Sequence, residues 1–119
     1  MKKFILVTGG AGYIGSTIVN QLIDRGYKVL IIDNLSTGSA KLINKNSHFL
    51  KCDITNYSNL FKKLIIYKKK IFAIIHLAAK LSVSESETKP LKYYKNNVIG
   101  TENILKISKA LEVQKFIFS

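Results

Sequence analysis

The residues best suited to chemistry come early, in Thr8-Gly9-Gly10-Ala11-Gly12-Tyr13-Ile14-Gly15, between an apolar run and an amphipathic stretch. Gly9 permits a turn that a Cβ obstructs, Gly12 lets backbone approach a pyrophosphate, and Gly15 allows a helix to pack close to a strand. Amides at the start of the following helix, at the positive end of its dipole, favour phosphate. A tight structural turn uses glycine in the same way, so the motif alone carries both readings. Asp33 stands 18 residues beyond Gly15, at the end of a second apolar run. A carboxylate there accepts hydrogen bonds from ribose hydroxyls and repels a 2′-phosphate. No Arg follows in Asn34-Leu35-Ser36-Thr37-Gly38, so the pattern points to NAD rather than NADP. A helix or turn cap is the structural alternative for Asp33.

Further along, Cys52-Asp53-Ile54 follows a third apolar run. Asp53 suits the adenine amino group, with Ile54 packed on the ring, and equally suits a turn or cap. His76-Leu77-Ala78-Ala79-Lys80 follows a fourth run, and its small Ala side chains permit close approach to a cofactor. His76 itself reads as a packed strand-end residue rather than a base or ligand. With two His and one Cys far apart in the chain, no metal site is expected.

These residues need a frame to bring them together. Apolar runs recur at Phe4 to Val7, Val29 to Ile32, His48 to Leu50, Phe72 to Ile75 and Phe116 to Phe118, as parallel strands buried on both faces require. Between the first two, Ile14, Ile18 and Leu22, with Val19 and Ile23, mark a helix that Gly26 stops. A second helix is expected from about Ser58 to Tyr67, with Leu60, Leu64 and Ile65 on one face and Lys62 and Lys63 outward. A third runs from about Pro90 through Leu111, with Tyr94, Val98, Ile104, Leu105 and Ile107 on its apolar side and Pro90 in its first turn. The stretch from Ser36 to Asn46 reads as loop with a short helical turn. This alternation builds an α/β Rossmann-type parallel sheet with strand order 3-2-1-4-5, helices on both faces, and ligands at the carboxyl ends near the switch point between strands 1 and 4.

Composition sets the outer limits. The chain has 119 residues, 19 basic against 7 acidic side chains, a formal charge of +12 and 47% apolar residues. The apolar share excludes a disordered polyelectrolyte. The length suits one domain, here residues 1–119, and is too short for a separate substrate domain as well. Of the 19 cations, 18 are scattered Lys and one is Arg25, whereas base readout favours the Arg fork, so no specific nucleic acid is expected. The apolar run after Lys2 and Lys3 ends at Thr8, short of the ~20 residues that span a bilayer. A single Cys excludes an internal disulfide, and together these features lead us to expect a cytoplasmic chain without membrane contact.

The glycine turn, the Asp-Asn-Leu-Ser-Thr-Gly run, Asp53-Ile54, His-Leu-Ala-Ala and Lys89-Pro90-Leu91-Lys92-Tyr93-Tyr94-Lys95-Asn96-Asn97-Val98-Ile99-Gly100-Thr101 form one ordered set. The set resembles the amino-terminal portion of the UDP-glucose 4-epimerase family, within the extended short-chain dehydrogenases/reductases, over essentially the whole chain. The resemblance implies hydride transfer between C4 of a UDP-sugar and NAD, with return to the other face after the keto sugar turns over. It places Gly9, Gly12, Tyr13, Ile14 and Gly15 at the pyrophosphate, Asp33, Asn34, Leu35, Ser36, Thr37 and Gly38 around the adenosine ribose, and Asp53 with Ile54 at adenine. Leu77, Ala78, Ala79, Lys80 and Leu81 then line the ribose and nicotinamide side, and Asn97 reaches the cofactor from the long helix, unless it serves a buried helix neighbour instead. Epimerases often carry Lys one place later, where Leu81 stands here; successive side chains after a strand can point to opposite sides, so Lys80 as a cofactor ligand follows from the resemblance less directly than its neighbours.

The family's acid/base pair is a Tyr-x-x-x-Lys, in which the Lys and the cofactor charge lower the Tyr pKa. Four positions beyond Tyr13, Tyr27, Tyr57, Tyr67, Tyr93 and Tyr94 stand Thr17, Ile31, Phe61, Ile71, Asn97 and Val98, none of them Lys. The expectation is therefore the cofactor-binding portion of such an enzyme, ending before its catalytic residues, inactive alone and leaving strand 5 as an apolar edge. A UDP-sugar and a homodimer belong to the full-length enzyme. Another sugar-nucleotide dehydratase or epimerase, or a non-catalytic basic binding module, are the alternatives.

Overall fold

The computed structural model describes residues 3–35, 38–77 and 90–118. In chain order the elements are β1 (Phe4–Thr8), α1 (Tyr13–Asp24), β2 (Lys28–Asp33), a 3-10 turn (Ala40–Leu42), β3 (His48–Lys51), α2 (Tyr57–Leu64), a second 3-10 turn (Ile65–Tyr67) and β4 (Ile71–His76). They are followed by α3 (Pro90–Tyr94), a π-helical segment (Lys95–Ile99), α4 (Gly100–Ala110) and β5 (Lys115–Phe118). All strand pairs are parallel and the order is β3-β2-β1-β4-β5, as the pattern of the sequence requires.

The alternation of side chains along each strand sorts the core into two layers. Ile5, Val7, Val29 and Ile31 face Val19 of α1, with Leu22 and Ile23 packed beside them. Leu6, Leu30, Ile32 and Ile74 face Leu60 and Leu64 of α2 and Ile104 and Ile107 of α4. Helices on both faces explain why the strands read as continuous apolar runs rather than alternating ones.

Local signals end the helices. Gly26, at φ +91°, follows α1 and its amide bonds to the Ile23 carbonyl at 2.9 Å. The Asn56 side chain caps α2 by accepting from the Asn59 amide at 3.1 Å.

Three expectations about helix faces need correction. On α1 the buried residues are Gly15, Ser16 and Val19, while Ile14 is exposed, because two small residues let the first turn lie directly against the glycine turn. Ile65 falls in the 3-10 turn, off the buried face of α2, and is exposed. The long third helix is interrupted by the π segment, which inserts an extra residue and shifts the phase of what precedes it relative to α4. Ile104 and Ile107 are buried, but Tyr94, Val98 and Leu105 are exposed. Among the described residues no helix is long and apolar enough to cross a membrane.

Candidate functional site

The carboxyl edge of the sheet, where β1 and β4 lie side by side, gathers most of the residues singled out by sequence. β1 delivers Thr8 into the glycine turn, which is pinned to β2 by the Gly9 amide on the Ile32 carbonyl at 2.8 Å. Gly9 takes φ +77°, a conformation that L side chains resist. A Cβ on Gly15 lies 2.0 Å from the Gly9 carbonyl oxygen, so only glycine lets α1 start this close to the turn. A Cβ on Gly12 meets only that oxygen, at 3.4 Å, an ordinary contact. Nothing within the described chain demands glycine at position 12; the open side faces outward. The start of α1 has no side-chain cap and no acidic residue in its first turn. Its leading residues, Tyr13 and Ile14, are exposed, the first by 83%. The arrangement leaves a helix amino terminus able to receive an anion.

Asp33 closes β2 and is buried, with each carboxylate oxygen accepting from one backbone amide. Oδ2 accepts from the Ala11 amide at 3.0 Å and Oδ1 from the Leu35 amide at 2.7 Å. The capping alternative is therefore present in the structure, in a form that fastens the glycine turn to the β2 loop. Each oxygen keeps a further lone pair for a hydroxyl donor. Leu35 takes φ +64° as the chain turns away, and Asn34 is half-buried. Gly38 returns against the turn: a Cβ there stands 2.6 Å from the Ala11 carbonyl oxygen, which also accepts from the Ser39 amide at 3.0 Å. Ala11 and Ser39 thus hold the site together, although nothing in their residue types announces it.

Asp53 is exposed after β3, with Oδ1 accepting from the Thr55 amide at 2.9 Å and the Thr55 hydroxyl at 2.7 Å. That is the turn reading, and it leaves Oδ2 for a ligand. The expected packing of the Ile54 side chain on a ring does not fit: Ile54 belongs to the core, and its Cδ1 lies 2.5 Å from where a Cβ on Gly100 would stand. Its carbonyl accepts from the Asn103 side chain at 2.8 Å. Cys52 beside it is buried, donates to Asn59 Oδ1 at 3.2 Å, and has its thiol pKa raised by burial.

His76 ends β4 in a buried polar cluster. Its Nδ1 is 2.7 Å from Thr8 Oγ1 and its Nε2 is 2.9 Å from Thr101 Oγ1 on α4. The Leu77 amide donates to Thr8 at both Oγ1 (2.9 Å) and the carbonyl (3.1 Å). Burial lowers the His76 pKa below its ordinary 6.5. The unfolded chain then binds a proton more readily than the folded one. This contribution is complete above about pH 6.5 and is lost as pH falls toward the folded value. We expect the thermal midpoint to drop between pH 7.5 and 5, and more steeply in wild type than in His76→Asn, since exposed His48 is common to both. Parallel pH profiles in calorimetric melts would sink the assignment.

Asn97 lies half-buried in the π segment, and Leu77 is half-buried at the exit of β4. Ser36, Thr37, Ala78, Ala79, Lys80 and Leu81 lie outside the described residues. Among the described residues no group of three or more His, Cys, Asp or Glu could hold a metal ion. Among the described residues Lys3, Lys28, Lys70 and Lys115 stand at or just before the starts of β1, β2, β4 and β5, on the edge of the parallel sheet opposite the crevice, while Lys51 ends β3 on the crevice side.

Known proteins share both sequence and architecture with this chain. It is 41% identical to the bifunctional protein GAL10 of Kluyveromyces lactis, covering 98% of this chain and 18% of that protein. It is 40% identical to a UDP-glucose 4-epimerase of Klebsiella pneumoniae, covering 97% of this chain and 86% of that sequence. The crystal structure of a UDP-glucose 4-epimerase with UDP-glucose from Thermotoga maritima superposes with a TM-score of 0.91 at 39% identity, over 97% of this chain and 37% of that one. The chain therefore spans well under half the length of two of these three proteins. Residues 5–119 match the NAD dependent epimerase/dehydratase family, and the chain belongs to that family.

Proposed function

We propose that this chain is the NAD-binding part of a UDP-hexose 4-epimerase. The carrying observation is the buried Asp33 carboxylate, fastened to the Ala11 amide of the glycine turn directly beside an uncapped helix amino terminus. A carboxylate for ribose hydroxyls and free amides for a pyrophosphate, set side by side, suit a dinucleotide.

In this reading the amides of Tyr13, Ile14 and Gly15 hold the pyrophosphate, whose close approach the bare Gly12 permits, and Asp33 with Asn34 to Gly38 holds the adenosine ribose. Asp53 Oδ2 and the Ile54 amide meet adenine, Leu77 to Leu81 line the nicotinamide side, and Asn97 closes on the cofactor from the helix. The chemistry NAD supplies is reversible hydride exchange with C4 of the sugar. The 119 residues contain no Tyr-x-x-x-Lys, so by themselves they are not expected to epimerise. The exposed Leu91, Tyr94 and Val98, spaced along one side of α3 and the π segment, support pairing with a second copy in the full-length enzyme. The unpaired Cys52 is in keeping with a cytoplasmic protein.

Calorimetric titration with NAD and NADP tests the cofactor. Wild type is expected to bind NAD in preference to NADP. Asp33→Ala, which removes both the ribose acceptor and the brace on Ala11, is expected to weaken NAD by about tenfold or more and to erase the preference. No binding by the folded wild type, or a preference for NADP, overturns the proposal.

A further inference from the structure

The crevice has a structural weakness at its centre. β1 and β4 are neighbours, and the helices that flank their carboxyl ends lie on opposite faces: the glycine turn leads to α1 on one face of the sheet, while α4 lies on the other. Past the strand ends the sheet ladder adds one bond, the Leu77 amide on the Thr8 carbonyl at 3.1 Å. His76 ties in the second wall, because its two ring nitrogens reach Thr8, immediately before the glycine turn, and Thr101, one helical turn after Asn97. The Leu77 amide, the first on the outgoing chain, joins the same Thr8 hydroxyl at 2.9 Å.

We propose that His76 is a positioning residue for the dinucleotide, setting the spacing between the glycine turn, the exit of β4 and the helix that carries Asn97. The inference rests on the cofactor reading above. An apolar side chain fills a strand end at less cost than an imidazole that is 1% exposed, whose two polar atoms must both be satisfied. What the imidazole adds is direction: two hydrogen bonds at fixed angles, which a leucine of equal bulk does not supply. A neutral ring makes both bonds in either tautomer, one nitrogen donating and the other accepting.

The surroundings favour that neutral ring. β1 presents Thr8 to it, β5 presents Phe116 and Phe118 with ring centroids at 6.2 and 5.7 Å, and α4 presents Thr101. None of these carries a charge, and the nearby Glu102 is exposed and paired with Lys106 at 3.3 Å. Among the described residues no carboxylate stands ready to compensate an imidazolium, and burial alone lowers the ring's pKa.

The test is NAD titration of the 119-residue chain by calorimetry, at temperatures where thermal melts show each variant folded. Thr101→Val removes one hydrogen bond without touching the ring, and His76→Asn keeps a polar atom toward Thr8 alone. Each is expected to weaken NAD by about tenfold at pH 7.5. A purely structural histidine predicts lower melting temperatures with NAD affinity unchanged in both variants, and that result overturns the proposal. Should His76→Asn fail to fold, Thr101→Val decides alone. Absence of NAD binding in wild type overturns the cofactor reading and this inference together, whereas binding that neither variant weakens overturns only the clamp.

Discussion

Gly15→Ala is expected to weaken NAD binding about a hundredfold, the largest single effect on the crevice. The added Cβ falls 2.0 Å from the Gly9 carbonyl oxygen and 2.8 Å from its carbon, so two backbone segments must separate. Neither can yield by rotating a side chain. Gly9 is bound to Ile32 in β2 and accepts from the Gly12 amide, while Gly15 belongs to the first turn of α1. Moving them apart turns the helix amino terminus away from the place a pyrophosphate occupies. The stability cost is about 1–3 kcal/mol, the range for overpacking. Gly100→Ala is the matched control, since its Cβ meets the flexible tip of Ile54 at 2.5 Å rather than backbone. Titration of both variants checks the difference; equal NAD affinities would show that the turn adapts and that the close approach is not what shapes the site.

Leu6→Ala is expected to do the reverse, lowering stability by about 2–5 kcal/mol and leaving the affinity of the folded protein unchanged. Leu6 sits in the middle of β1, opposite Leu30 on one side and Ile74 on the other, with no exposed surface. Truncation opens a cavity beneath α2 and α4 that rigid strands cannot close. For a domain whose total stability is about 5–15 kcal/mol, this is a large share. Urea unfolding measures it, and a loss under about 1 kcal/mol would mean that the two-layer core repacks around the gap.

Much of this architecture is legible in the residues because the forces behind it are local. Five short, mostly apolar runs and the helices between them dictate a parallel sheet, and the handedness of crossovers then limits the order. The glycine turn is legible for the same reason: a positive φ at Gly9 and a close approach at Gly15 can be read from residue type and spacing. What escapes such reading depends on tertiary contact. The stripe of Ile14, Ile18 and Leu22 has helical spacing, but which side faces the sheet is settled by how near Gly15 and Ser16 allow α1 to come. Ile54 is apolar enough for an adenine face, yet Gly100 opens a place for it in the core. Ala11 and Thr101 carry no chemical signature at all; a backbone amide and a hydroxyl acquire their roles only when Asp33 and His76 are brought to them.

The π segment between Lys95 and Ile99 also determines how this stretch of chain can change over evolutionary time. A surface connection between elements can gain or lose a residue without reorienting its neighbours. Deletion of one residue inside 95–99 would instead return the turn to α geometry and swing everything before it by about 100° relative to α4. Asn97 would leave its present bearing, and Leu91 and Tyr94 would rotate with it. Here the number of residues is itself under constraint, separately from their identity: many substitutions leave the bearing intact, while a single gap does not.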